Sequence, residues 1–183
     1  LYGVQADFSI RGSTFNQVLV LLDGIRLNDP LTGHFSAYLP VTLSEISRIE
    51  VIRGPASIIY GPDAVGGVIN IITRKAVLTT DSTRNVTIRT GGGQYELMNT
   101  DAGISGSYGK INYNSGVKFI ASGGHPSNDG HKYDFRLRTA TASVSFPLSQ
   151  KWRFSFRTAI DAREFSAKRF YTISPHDSAR ESV

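Results

Sequence analysis

The apolar residues divide the chain into two parts with different periodicities. Up to Arg74, short, largely apolar runs alternate with turn residues: Val18–Leu22 (VLVLL), Ile49–Ile52, interrupted by Glu50, and Val68–Ile72, interrupted by Asn70. Such runs belong to strands covered on both faces, as in the middle of a covered sheet. Asp23-Gly24 stops the first run with a turn. Asn28–Pro40 reads as a loop rich in Asn, Gly, Thr and Pro. Thr42-Leu43-Ser44-Glu45 has the form of a capping box: the Thr42 hydroxyl is expected to accept from the Glu45 N–H while the Glu45 carboxylate reaches back, starting a short helix that ends near Ser47. Arg53-Gly54-Pro55 ends a strand, and Pro55 suits the first position of a helix. Ala56–Tyr60 then has room for little more than one turn, with Gly61 as its C′ residue before Pro62. Gly66-Gly67 turns the chain closely back into Val68–Ile72. Strands with short helices between them define an α+β or α/β unit.

After Ser82 the helical signals vanish and the period becomes two. In Lys151–Asp161, Trp152, Phe154, Phe156, Thr158 and Ile160 fall on one face, opposite Lys151, Arg153, Ser155, Arg157, Ala159 and Asp161. The same alternation sets Ile111, Tyr113, Val117 and Phe119 against Asn112, Asn114 and Lys118. It also sets Met98, Ala102, Ile104 and Tyr108 against Asn99, Asp101 and Ser105. It predicts strands over roughly 84–93, 95–108, 111–122, 136–147 and 151–165. Gly109-Lys110 and Leu148–Gln150 are tight turns, whereas Gly123–Asp134 and the stretch after Phe165 are longer and more polar. Long strands joined by alternating short turns and long loops are the mark of a transmembrane barrel. Tyr95, Tyr108, Trp152 and Phe165 near strand ends suit its interfacial girdles. A soluble antiparallel sheet with one wet face has the same period; strand length favours the barrel, since soluble strands mostly run to five or six residues.

Composition narrows this picture only slightly. The 183 residues suffice for one domain or two small ones, and no apolar run reaches the length of a transmembrane helix. Mean hydropathy is −0.15, which alternating barrel strands and soluble proteins share. The net charge of +5 comes from scattered basic residues, as expected of solvated faces. Nucleic-acid binding would need bases and stacking aromatics on one exposed face, and in Lys151–Asp161 they occupy opposite faces. Cysteine is absent, which removes disulfides and thiolate metal sites.

The stretches VLVLLDGIRLND and SRIEVIRGPASIIYGPDAVGGVINIITRK, followed by alternating strands, resemble a TonB-dependent outer-membrane receptor. The layout is most similar to cobalamin and small-siderophore receptors. The resemblance implies an α+β plug domain, a small mixed sheet with short helices, over 1–76. Over 77–183 it implies the first strands, about five, of an antiparallel transmembrane β-barrel. It implies binding and gated uptake of a scarce nutrient such as cobalamin, siderophore-iron or haem at the bacterial outer membrane, with no enzymatic step and no cofactor. The implied partners are that small nutrient or metal chelate, the lipid bilayer, the inner-membrane energy-coupling protein TonB, and a candidate accessory lipoprotein. The residues matching the apical ligand loop are Asn28, Asp29, Thr32, His34, Phe35 and Tyr38. Those matching a plug–barrel charge lock are Glu50 and Arg53. The energy-coupling box and first plug strand are expected before Leu1. About five strands cannot close around a plug, so a truncated receptor is expected. The alternative is a non-transporting, β-rich interaction module of adhesin type.

Other chemistry is thin. His125, Asn128, Asp129, His131 and Asp134 share one long loop; their spacing fits no EF-hand, leaving Asn128, Asp129 and Asp134 as cation candidates beside a plain polar loop. Gly91-Gly92-Gly93 lacks the Lys-Ser/Thr and helix of a phosphate loop. No Ser/His/Asp set with local spacing suggests catalysis.

Overall fold

A computed structural model describes residues 6–29, 34, 37–74, 83–127, 130–167 and 179–182. They group into two compact units. One comprises 6–39 and 46–74; the other comprises Pro40–Glu45 together with the long strands.

The first unit is a four-stranded mixed sheet: β1 (Val18–Leu22), β2 (Ile25–Arg26), β3 (Ile46–Arg53) and β4 (Gly67–Thr73), in the order β2-β1-β4-β3. Two of the apolar runs lie side by side in its centre, β1 parallel to β4, and every residue of β1 is buried. This is the environment that a run without alternation requires, because neither face meets water. Leu19, Leu21 and Val68 pack with Ala56 and Ala64 as the core. The third run differs: β3 is an edge strand, antiparallel to β4, and its side chains are largely exposed. Asp23 and Gly24, both at positive φ, turn β1 into β2, and the Asp23 carboxylate accepts from the Thr73 N–H (2.9 Å) and hydroxyl (2.5 Å). Between β3 and β4, α1 (Ser57–Tyr60) is a single turn, closed where the Gly61 N–H donates to the Ser57 carbonyl. Gly66 and Gly67 leave no room for side chains, which would meet Ser13 and the Ile52 carbonyl. A 3-10 turn, Phe15–Gln17, precedes β1.

The helix expected from Thr42 does not form. Residues 43–45 make a turn and the chain passes straight into β3. The Thr42 hydroxyl donates to the Glu45 carboxylate (2.9 Å) instead of accepting from the Glu45 N–H, which bonds the Thr42 carbonyl (3.1 Å). The Glu45 carboxylate does reach back to the Thr42 N–H (3.0 Å), so half of the box survives as a turn clamp.

The second unit is an antiparallel meander: β5 (Thr83–Gly93), β6 (Leu97–Tyr108), β7 (Ile111–Ser122), β8 (Phe135–Pro147), β9 (Arg153–Ser166) and β10 (Arg180–Ser182). The short β10 was not anticipated. Register carries the period of two across the sheet. Ile88, Ala102, Val117, Ala140 and Ile160 stand opposite one another in one row; Arg89, Asp101, Lys118, Thr139 and Asp161 form the neighbouring row on the other face. Ile88, Val117, Phe156 and Ile160 are exposed, and so are Tyr95, Tyr108 and Trp152. Phe165 departs from the girdle reading: it is buried opposite Phe135, because its odd position puts it on the face of Asp161 and Arg163.

Candidate functional site

The polar face of the long-strand sheet carries the turn Pro40–Glu45 in a seat made of glycine and charge. Gly103 and Gly116 stand directly opposite each other on β6 and β7. With Thr141 and Ala159 they continue a row of small residues across β8 and β9. A side chain at Gly103 would overlap Ser44, and one at Gly116 would overlap Thr42. Glycine inside a strand marks such a close approach, and here it lets the turn settle into the sheet.

One row away, the Asp101 carboxylate accepts from the Leu43 N–H (2.7 Å) and the Ser44 N–H (3.0 Å). Asp101 is 1% exposed and also faces Arg89 at 3.9 Å. Lys118 Nζ donates to the Val41 carbonyl at 3.1 Å. On the other side, Arg157 Nη2 donates to Glu45 Oε2 (3.2 Å) and to the Pro40 carbonyl (3.4 Å). Arg157 Nη1 lies 3.1 Å from Glu45 Oε1, as an ion pair without hydrogen-bond alignment. Glu45 is wholly buried. Buried carboxylates survive only when paired and hydrogen-bonded. Wall side chains therefore satisfy the backbone and carboxylate of the turn nearly group by group. The row continues through Thr139 to Asp161 (2.5 Å) and Asp161 to Arg163 (2.6 Å).

Asp101, Gly103, Gly116, Lys118 and Arg157 form the seat of the turn, and the period alone places them only on a polar face. The available signal was a charge or a glycine in the middle of a long strand, where a plain wet face needs neither.

The residues expected to meet ligand are placed as follows. Asn28 is buried, its amide oxygen accepts from the Val20 N–H (2.7 Å), and its amide nitrogen donates to the Val18 carbonyl (2.9 Å). Its side chain thus completes the edge of β1, with both polar atoms of the amide engaged by the strand backbone. Asp29 is exposed. His34 Nδ1 lies 2.8 Å from Asp7 Oδ2, and its ring stacks on Phe15 with centroids 3.9 Å apart. Tyr38 is half-buried, while Thr32 and Phe35 lie outside the described residues. Glu50 is exposed and holds Arg48 at 2.7 Å and the Asn70 amide at 3.3 Å. That Arg48 hydrogen bond holds its carboxyl below the ordinary value. Arg53 is exposed, with no ion-pair partner among the described residues. Asn128 and Asp129 lie outside the described residues, and Asp134 is taken up by Arg180 (3.0 and 3.4 Å). Among the described residues no cluster of acidic or His side chains is arranged to hold a metal ion.

Known proteins match both units. The family model of the TonB-dependent Receptor Plug Domain matches residues 2–68. The vitamin B12 transporter BtuB of Vibrio vulnificus (strain CMCP6) is 48% identical over 71 residues, covering 39% of this chain and 11% of that protein. The fold is similar to that of the pyoverdine receptor FpvA of Pseudomonas aeruginosa PAO1, with a TM-score of 0.65 and 15% identity over 86% of this chain and 22% of that one. It is also similar to the siderophore receptor PirA of Acinetobacter baumannii, with a TM-score of 0.64 and 20% identity over 86% of this chain and 25% of that one. The chain thus spans about a tenth of the curated relative and about a quarter or less of these receptors. Residues 2–68 thus match a TonB-dependent receptor plug, and the fold of the chain, a small mixed sheet followed by long antiparallel strands, is similar to that of these receptors.

Proposed function

We propose that the chain is part of an outer-membrane receptor that binds a scarce nutrient and imports it by TonB-dependent gating. Cobalamin, siderophore-bound iron and haem are the substrate candidates. The observation that carries this reading is a 71-residue stretch 48% identical to a vitamin B12 transporter and a plug-domain match over residues 2–68, beside long strands with one exposed apolar face and one charged, glycine-notched face. The apolar face suits a bilayer and the charged face a barrel interior. The work is binding and conformational change, with no bond chemistry. Asp29, Thr32, His34, Phe35 and Tyr38 remain the proposed ligand contacts of the apical loop. Exposed Glu50 and Arg53 are proposed to meet charges on further barrel strands. TonB, the lipid bilayer and an accessory lipoprotein are the proposed partners.

The test is uptake by cells expressing the full-length receptor, with labelled cyanocobalamin, a ferric siderophore and haem, in the presence and absence of TonB. Accumulation of one of them that needs both receptor and TonB is expected. A receptor that reaches the outer membrane and neither binds nor accumulates any of them would overturn the reading.

A further inference from the structure

Among the described residues ahead of β5, only Pro40–Glu45 groups with the long strands; the chain on either side, 6–39 and 46–74, forms a unit with its own sheet and core. The bonds that seat the turn come from Asp101, Lys118 and Arg157, on β6, β7 and β9. None of them depends on β1–β4 being folded. The turn also carries its own brace, from Glu45 to the Thr42 N–H and hydroxyl. Releasing it would break these bonds together, parting Glu45 (0% exposed) from Arg157 and Asp101 (1% exposed) from the Leu43 and Ser44 N–H groups, and would open the notch at Gly103 and Gly116. A latch built to let go would hold its charges where water could replace the partner. Here both carboxylates are shut off from water, where charge-assisted hydrogen bonds are stronger than at an exposed site.

We infer that the Pro40–Glu45 turn is a fixed pivot, which the wall keeps while the small-sheet unit opens or rearranges. Gating movement is then confined to the segments before Pro40 and after Glu45. Only the purpose of that movement rests on the transport reading; the pivot itself is a statement about which part stays put.

The first test is hydrogen exchange of the full-length receptor in detergent at rising urea concentration. The Leu43 and Ser44 amides are expected to stay protected, exchanging at least about tenfold more slowly, where those of β1 and β4 already exchange by local opening. In Asp101→Ala they should fall to the rate of β1 and β4 or faster. Exchange of Leu43 and Ser44 in step with β1 and β4, or ahead of them, in the unaltered receptor would overturn the pivot. The second test uses the absence of cysteine from this chain. A Cβ at Gly116 lies 3.0 Å from the Thr42 Cβ. Joining Thr42→Cys to Gly116→Cys therefore needs an opening of about half an ångström to reach ordinary disulfide spacing. The cross-linked receptor should take up cyanocobalamin or a ferric siderophore, whichever the unaltered receptor accepts, within about twofold of its reduced form. Uptake that is lost on oxidation and regained with dithiothreitol would overturn the pivot. If the unaltered receptor takes up neither, the transport reading fails and the exchange measurement alone decides the pivot.

Discussion

The Glu45 carboxylate lies 3.1 Å from the Arg157 guanidinium, although the two residues are 112 positions apart in the chain. Glu45 is fully buried and the Arg157 side chain is 23% exposed. Replacing only Arg157 strands a buried charge, so Arg157→Ala should destabilise the long-strand unit by about 3–5 kcal/mol. Replacing both, as Glu45→Gln with Arg157→Ala, should cost less than the sum of those two single changes. Urea unfolding of the full-length receptor in detergent, run as a double-mutant cycle, gives the coupling. Additive single changes would show that the pair contributes nothing of its own.

Glycine positions on the long strands should divide sharply. Gly116→Val pushes into Thr42 and should cost about 1–3 kcal/mol or more by overpacking. Gly91 has open space around it and an ordinary strand conformation, so Gly91→Ala should be neutral or stabilising by up to about 1 kcal/mol. Unfolding midpoints of the two variants make the comparison; equal effects would remove the close-approach explanation of Gly116.

Asn28 is predicted to be a structural residue and not a ligand contact. Asn28→Ala leaves the Val20 N–H and Val18 carbonyl without partners at a buried site, a cost of about 1–3 kcal/mol. Ligand affinity should change only as far as stability does. A large loss of affinity in a variant of unchanged thermal midpoint would return Asn28 to the ligand loop.

Glu50 predicts a small acid-side effect. Its folded carboxyl titrates below the ordinary 4.5, chiefly because Arg48 donates a hydrogen bond to the charged form. A lowered folded value means that the stabilisation is fully present above the ordinary value and is lost as pH falls through the lowered one. Glu50→Gln should flatten that limb of the stability profile of the small-sheet unit. Added salt should weaken the effect, since the pair is exposed. A profile unchanged by the substitution would show that Glu50 gains nothing from Arg48.

Periodicity alone was enough to locate most strands, because it reports which faces are covered. Val18–Leu22 and Val68–Ile72 read as doubly covered strands and lie adjacent in the centre of a mixed sheet. The alternating segments became β5–β9 with boundaries shifted by no more than about two residues. A pattern of two is a local property of each strand, and Gly54-Pro55, Gly61 and Gly66-Gly67 are local punctuation. Both are therefore legible one segment at a time. The motif from Ile49 to Thr73 carried the resemblance to TonB-dependent receptors for the same reason.

What only the tertiary structure decided are the relations between segments far apart in sequence. Thr42–Glu45 has the residues of a helix start, yet the Leu43 and Ser44 N–H groups are drawn to Asp101 and the chain forms a turn instead. A helix-capping motif states a preference worth about 1 kcal/mol, and buried, charge-assisted bonds from another strand outweigh it. Ile49–Ile52, apolar apart from Glu50, sits at the sheet edge, because strand order is set by the parallel pairing of β1 with β4. Asn28 reads as a loop residue until the β1 edge is seen beside it. Gly103 and Gly116 gain meaning only through register, which brings them opposite each other beneath the same turn. Sequence shows how far each face alternates; burial and hydrogen bonding between distant strands decide what each face meets.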